Sequence, residues 1–288
     1  MDQQIAHQII RFQTEEEITI IADAFGNPAH DPVLLLHGGG QTRHSWKKSG
    51  FQIAKKGWYV LALDARGHGE SSWSKKLNYS FDYISKDLLF VIQALDKKPV
   101  LIGASMGGFC SMLVLAKFPE IAKALILVDV SPKVEQKGID RIFQFMGSKP
   151  EGYESLEEVR AAIANYLPHR KNTGSLKGLK KSLRKLPNGN YGWHWDPEML
   201  KVWSSLTDHR NPNESEDFFN GVLQNLLVPC LLVRGGMSDV VSIETVKDLL
   251  KIAPNLQFID IKDAGHMIAG DSNDIFTDAL LGFLQQIK

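Results

Sequence analysis

Ser105 stands in Gly103-Ala104-Ser105-Met106-Gly107, directly after the apolar run Pro99-Val100-Leu101-Ile102 and at the head of an amphipathic stretch that reaches Phe118. A serine hydroxyl is a weak nucleophile until a neighbouring imidazole takes its proton. Its chemistry therefore needs a base, a group that orients the base, and donors for the charge that develops on an attacked carbonyl. The G-x-S-x-G spacing prepares the first part. A tight strand-to-helix turn strains the backbone at the serine, and glycines two residues to either side let strand and helix close around it. The turn points the Ser105 hydroxyl out of the sheet and the Met106 N–H at the same spot, beside the positive end of the helix. Met106 is thus one expected oxyanion donor.

The partners should follow in the order Ser…Asp/Glu…His. His266 lies in Asp263-Ala264-Gly265-His266-Met267, a loop directly after the last apolar strand segment, which aims it at the same rim as Ser105. It is the candidate base, the alternative being a surface loop histidine. For the acid, Asp239 follows a strand in Arg234-Gly235-Gly236-Met237-Ser238-Asp239 and is expected to hold the His266 tautomer and stabilise the imidazolium. Asp129, which ends the segment 124–128, is its rival, and either aspartate could instead cap a turn. Chain order and loop position favour Asp239. The second oxyanion donor is expected from His37-Gly38-Gly39-Gly40 after another strand. Three glycines can turn a backbone N–H inward, and Gly39 is the candidate, against a simple flexible turn. His37 is expected to brace this loop. Together with Trp193, Trp195 and Met267 it is also a candidate for lining the substrate pocket, as are Trp203 and Met106, although cap aromatics commonly form a small core of their own.

These residues must be carried by regular elements. Apolar strand segments fall at 33–36, 59–63, 100–102, 124–128, 230–234 and 257–261; helical segments fall at 44–55, 81–95, 106–118, 243–252 and 274–286. Short buried strands separated by helices specify an α/β fold, a doubly wound and mostly parallel sheet covered on both faces. The alternating segments 5–12 and 17–24 add an antiparallel edge. Ligands collect at the carboxyl ends of such strands. The alternation stops after Asp129, and the chain becomes helical and polar, punctuated by Pro150, Pro168, Pro187, Pro197 and Pro212. Residues 131–221 are therefore expected to form a helical cap inserted into a core made of 1–130 and 222–288. Ser155 to Glu158 matches a capping box. Leu176, Leu179, Leu183 and Leu186 fall at helical spacing among Lys177, Lys180, Lys181, Arg184 and Lys185. That pattern predicts a basic amphipathic helix, its leucines in the cap core and its lysines solvated, or else docked at a lipid interface.

Composition narrows the classes. The 288 residues are 43% hydrophobic and 23% charged, with 33 basic and 33 acidic side chains, so no global field favours nucleic acid or an anionic membrane. Cys110 and Cys230 lie in apolar runs and read as buried free thiols, which suits a reducing compartment. Met1-Asp2-Gln3-Gln4 has no basic n-region and no long apolar run follows; the cytoplasm is the expected place, without stable membrane insertion. The tract Asp64-Ala65-Arg66-Gly67-His68-Gly69-Glu70-Ser71 has no phosphate-loop spacing, and the cysteines have no partners at zinc-ligand spacing. No cofactor and no metal are expected.

HGGGQTRHSW at 37–46, ALDARGHGESS at 62–72, GASMGG at 103–108, RGGMSD at 234–239 and DAGHM at 263–267 resemble the α/β-hydrolase superfamily. They are similar to its capped bacterial branch of lipases, esterases and cofactor-free peroxidases, which WHWDP at 193–197 also resembles. The resemblance implies a Ser105–Asp239–His266 triad, an oxyanion hole from Gly39 and Met106, a structural role for the 64–71 loop, and hydrolysis of a small carboxylic ester or related acyl bond. A serine nucleophile argues against the dehalogenase and epoxide-hydrolase relatives, whose nucleophile is aspartate. A perhydrolase, a carbon–carbon bond hydrolase or a ligand receptor on the same fold are the other readings.

Overall fold

The computed structural model describes residues 5–168, 176–208, 212–262, 264–266 and 274–288. Its centre is an eight-stranded sheet. β1 (His7–Gln13) and β2 (Thr19–Phe25) form the antiparallel edge, followed by β3 (Pro32–Leu36), α1 (Lys47–Lys55), β4 (Tyr59–Leu63), α2 (Phe81–Gln93), β5 (Val100–Ala104), α3 (Met106–Lys117) and β6 (Ala124–Val128). The insertion carries α4 (Gln136–Met146), α5 (Leu156–Tyr166), α6 (Leu176–Leu179), a hairpin of β7 (Leu183–Lys185) and β8 (Tyr191–Trp193), α7 (Glu198–Asp208) and α8 (Pro212–Gln224). β9 (Cys230–Gly235), α9 (Ile243–Ile252), β10 (Leu256–Ile261) and α10 (Asp274–Gln286) complete the chain. The strand order is β1-β2-β4-β3-β5-β6-β9-β10, and every pair from β4 to β10 is parallel.

Period-two geometry divides the strand side chains between two cores. Leu34, Leu36, Leu61, Leu101, Leu125, Leu127 and Leu232 face the helices α2, α3, α8 and α9. Val33, Leu35, Val60, Ile102, Ile126, Val128 and Val233 face α1 and α10. The central strands are buried on both faces, so their sequences read as continuous apolar runs rather than alternating ones. Phe219 and Leu223 of α8 join the first core, so this last helix of the insertion packs with the core helices.

Within the insertion, the stretch 175–186 departs from its expected helical form. Over 175–186 the leucine spacing predicts one helix, but α6 ends at Leu179, Lys180–Ser182 is a single 3₁₀ turn, and Leu183 begins an extended strand; Ser175 lies outside the described residues. The reason is the turn Pro187-Asn188-Gly189-Asn190. Gly189 adopts φ +83°, its N–H donates to the Leu186 carbonyl at 2.9 Å, and the chain folds back so that Leu183 pairs with Trp193. Two of the basic groups lie on aromatic rings: Arg184 is 3.8 Å from the Trp73 ring centre and Lys185 is 3.5 Å from that of Tyr191. The capping box forms in part, with the Ser155 hydroxyl accepting from the Glu158 N–H at 3.2 Å. The Glu158 carboxylate reaches back to the Glu154 N–H at 2.8 Å, one residue beyond the cap.

Candidate active site

Ser105 breaks the end of β5 with φ 46° and ψ −113°, and α3 begins at the next residue. A left-handed non-glycine residue of this kind costs on the order of 1–3 kcal/mol and persists only where its surroundings enforce it. The enforcement is visible. A Cβ at Gly103 would stand 2.5 Å from the Gly107 carbonyl group, and a Cβ at Gly107 would stand 2.6 Å from Leu36. Strand β5, helix α3 and strand β3 therefore approach too closely for any side chain at either glycine.

Asp129 repeats this device one strand along. Ala104 pairs with Val128 across β5 and β6, so Ser105 and Asp129 are the next residues on two adjacent strands. Asp129 has φ 47° and its carboxylate is fully buried. Its Oδ1 accepts from the Gly235 N–H at 2.9 Å, and its Oδ2 accepts from the Ser238 hydroxyl at 2.5 Å and from His266 Nδ1 at 2.6 Å. The bond to Nδ1 leaves Nε2 as the proton-accepting nitrogen of a neutral imidazole. His266 follows β10 in a loop held to the end of β9, where the Met237 N–H donates to the Ala264 carbonyl at 2.9 Å.

The carboxylate on the histidine is therefore that of Asp129, and the expectation of Asp239 is corrected. The segment Gly235-Gly236-Met237-Ser238 turns after β9 and carries Asp239 away toward α4, where it pairs with Arg141 at 3.1 Å. Ser238, one residue earlier, points inward instead. Its Oγ donates to Asp129 while accepting from the N–H groups of Val240 and Val241 at 3.1 and 3.2 Å. Ser105…Asp129…His266 and Ser105…Asp239…His266 satisfy the same chain order, which is why order alone does not choose between them.

On the other side of Ser105 the glycine loop leaves one amide open. The Gly38 N–H donates to Gln41 Oε1 at 3.1 Å and the Gly40 N–H to His68 Nε2 at 3.2 Å. Among the described residues the Gly39 N–H has no acceptor, and the Met106 N–H, first in its helix, has none within that helix. Ser105, Met106, Gly39 and His266 all line one cavity of about 540 Å³. Its walls are mainly apolar, built from Phe81 and Phe109 of the core and Ile142, Phe143, Trp203 and Phe219 of the insertion, with Tyr166 beside them.

The expected pocket residues divide differently. His37 is 1% exposed and lies behind the loop: its Nε2 accepts from the Ala65 N–H at 3.0 Å and its Nδ1 donates to the Gly38 carbonyl at 2.8 Å. It braces the loop and does not line the cavity. Burial pushes its pKa below the ordinary histidine range. Trp193 and Trp195 stack on each other with ring centres 4.9 Å apart and build a small aromatic core behind the wall, so of these three tryptophans Trp203 alone lines the cavity. Met267 lies outside the described residues. Gln41, Ser238, His68 and His194 carry bonds to the site that motif reasoning missed; the glycine count drew attention to the loop but not to what fixes it.

The tract 64–71 is structural. Arg43 is buried against Asp23, Asp64 and Glu70, and Arg66 makes a two-pronged pair with Asp87 at 2.6 Å on each arm. Among the described residues no three metal-ligating side chains cluster, and no helix is long and apolar enough to cross a membrane. Cys110 and Cys230 are buried and unpaired, and burial raises both thiols above their ordinary range.

The profile of the α/β hydrolase fold matches residues 31–272. The chain belongs to the α/β-hydrolase fold family. Within that family it is 27% identical over 268 residues to Esterase Rv0045c of Mycobacterium tuberculosis, covering 88% of this chain and 82% of the relative. It is 28% identical over 285 residues to the sn-1-specific diacylglycerol lipase ABHD11 of Danio rerio, covering 95% and 84%. The solved structure of E-2-(acetamidomethylene)succinate hydrolase superposes with a TM-score of 0.81 over 97% of this chain and 100% of that one, at 18% identity, and so shares the α/β-hydrolase fold.

Proposed function

We propose that the protein is a serine esterase that cleaves small carboxylic esters through an acyl-enzyme, with Ser105 as nucleophile, His266 as base and Asp129 as the orienting acid. The observation that carries the reading is the 2.6 Å bond from His266 Nδ1 to a buried Asp129, on the same rim and the same apolar cavity as the strained Ser105. The esterase and lipase relatives support ester hydrolysis as the reaction.

The steps follow from the geometry. Ser105 Oγ attacks the ester carbonyl carbon as its proton passes to His266 Nε2, and the imidazolium is stabilised by the Asp129 carboxylate. Negative charge on the carbonyl oxygen is met by the N–H groups of Gly39 and Met106, preorganised and short of other acceptors. Collapse breaks the C–O bond, and His266 returns its proton to the leaving alcohol. Water, deprotonated by the same nitrogen, then attacks the acyl carbon and releases the acid and free Ser105. The aromatic wall excludes water from an acyl chain and favours an apolar acid component. The inserted stretch 131–221 serves as the cap that shapes this wall.

The test is turnover of p-nitrophenyl esters from acetate to palmitate alongside Ser105→Ala. Serine-dependent release is expected, strongest for acyl chains that the closed aromatic wall accommodates. Absence of ester turnover above the variant overturns the reading.

A further inference from the structure

Acyl transfer at Ser105 leaves one direction around the attacked carbon for the acyl chain. Ser105 Oγ bonds to the carbon from the end of β5, the carbonyl oxygen turns toward the Gly39 and Met106 amides, and the leaving oxygen lies within reach of His266 Nε2. His266 is bonded to the residue that ends β6, on one side of β5. The Gly39 loop follows β3, and Phe81 opens the helix after β4, on the other side. The acyl chain therefore runs away from His266, toward Phe81 and the first turns of α3.

The cavity carries a continuous row of rings in that direction. Trp203 marks the reactive end: its ring lies 3.1 Å from where a Gly39 Cβ would stand, and its indole N–H donates to the Tyr79 carbonyl at 2.7 Å. From Trp203 the row passes to Phe81 at 5.9 Å between ring centres, from Phe81 to Phe109 at 5.8 Å, and from Phe109 to Phe219 of α8 at 5.0 Å. All four rings line the cavity.

Past Phe219 the helices α3 and α8 close on each other. Met112 and Leu115 of α3 share a buried core with Phe219 and Leu223 of α8. Farther along the same two helices a surface groove of about 310 Å³ opens, lined by Leu115, Ala116, Phe218 and Val222 among others. Successive residues of a helix point about 100° apart. Phe219 accordingly faces the cavity and is buried, whereas Phe218 faces the groove and is 49% exposed, with the two ring centres 5.2 Å apart.

We propose that Phe219, backed by Phe109, is a specificity-determining residue whose ring ends the acyl pocket, so that short and medium acyl chains are accepted and long ones rejected. The insertion thereby sets chain length with one side chain at the far end of the row. The proposal rests on the serine-esterase reading.

The experiment varies the volume of that side chain. The kcat/KM on p-nitrophenyl esters from acetate to palmitate is measured for the native protein, Phe219→Ala, Phe219→Leu, Phe219→Trp and Phe218→Ala, with thermal unfolding in parallel. A misfit of one methylene in an apolar pocket is worth roughly 10- to 200-fold in kcat/KM. The native protein should have its maximum below the longest chains. Phe219→Ala should raise the ratio of palmitate to butyrate by roughly 10- to 100-fold, Phe219→Leu should fall between, and Phe219→Trp should move the maximum to shorter chains. Phe218→Ala, on the same helix but outside the cavity, should leave the profile in place. A native maximum at palmitate overturns the proposal, as does a loss that falls evenly on every ester and follows the thermal midpoint. A shift in Phe218→Ala equal to that in Phe219→Ala also overturns it, because the helix and not the ring would then set the limit. If Phe219→Ala fails to fold, the Leu and Trp variants decide by the same order. Ser105→Ala run alongside separates the two levels: no serine-dependent turnover on any ester overturns the esterase reading, while serine-dependent turnover with an unchanged profile overturns only the role of Phe219.

Discussion

The eight-stranded sheet and the insertion after β6 are held by different forces. In the sheet, apolar side chains alternate between two cores, and parallel register places Ser105 and Asp129 side by side at the strand ends. In the insertion, apolar burial is joined by aromatic pairs, such as Trp193 on Trp195 and Phe145 on Tyr166, and by side-chain hydrogen bonds to the loop 65–79. Burial summed over many strands fixes positions that chemistry needs to be accurate. A wall that only has to exclude water and fit an acyl chain tolerates the looser, more specific kind of contact. On the proposed mechanism, the difference assigns reactivity to the sheet and selectivity to the insertion.

Substitutions at the sheet rim should have the largest effects. Ser105→Ala is expected to lower kcat/KM on a p-nitrophenyl ester by roughly 10⁴-fold or more. Asp129→Asn should cost roughly 10³- to 10⁴-fold in kcat through loss of the correct His266 tautomer, while Asp239→Asn should stay within about twofold. A reversed pattern, with Asp239→Asn the damaging change, would move the acid off the sheet and break the comparison. Leu232→Ala, in the first core at no measurable exposure, should destabilise the fold by about 2–5 kcal/mol in urea denaturation. Ser155→Ala, which removes the cap of α5 in the insertion, should cost about 1 kcal/mol in the same measurement.

Acid sensitivity sharpens the contrast further. Burial lowers the His194 pKa from 6.5 to about 3, and His37 and His68 are lowered by the same cause. The unfolded chain takes up these protons near the ordinary histidine pKa and the folded chain does not. The stability they contribute is therefore complete above about 6.5 and is lost progressively as pH falls toward 3. The thermal midpoint should drop between pH 7 and pH 5, and less steeply in His194→Gln, which has one titrating ring fewer. Parallel slopes in the two proteins would mean that His194 is not held neutral.

Most of the sheet was legible because its signal is local. The segments 59–63 and 124–128 agree with β4 and β6 at both ends, since an apolar run bounded by glycine or charge leaves little choice of register. The elbow was legible through its spacing, although only Gly103 is demanded by a contact a few residues away, at Gly107; Gly107 is demanded by Leu36 of β3. The carboxylate partner of His266 was not, because Asp129 and Asp239 both follow strands and both precede His266. What separates them is which strand lies next to β5, a fact of sheet order that no local pattern encodes. In the insertion, leucine spacing over 175–186 suggested a helix, and Pro187-Asn188-Gly189 overrode it with a hairpin. The histidines of the glycine loop were illegible for a further reason. His68 and His194 lie far apart in sequence and come together only in the fold, with ring centres 6.0 Å apart.

Asp129 also fastens the two ends of the insertion to each other. Its N–H donates to the Val233 carbonyl at 2.8 Å and its carboxylate accepts from Gly235, so the point where the chain leaves the sheet is stitched to the strand by which it returns. The long excursion between them starts and finishes in a closed socket, and the entropy of bringing its ends together is met by β6 and β9 rather than by its own contents. Lengthening, shortening or grafting that excursion then leaves the acid–base pair seated.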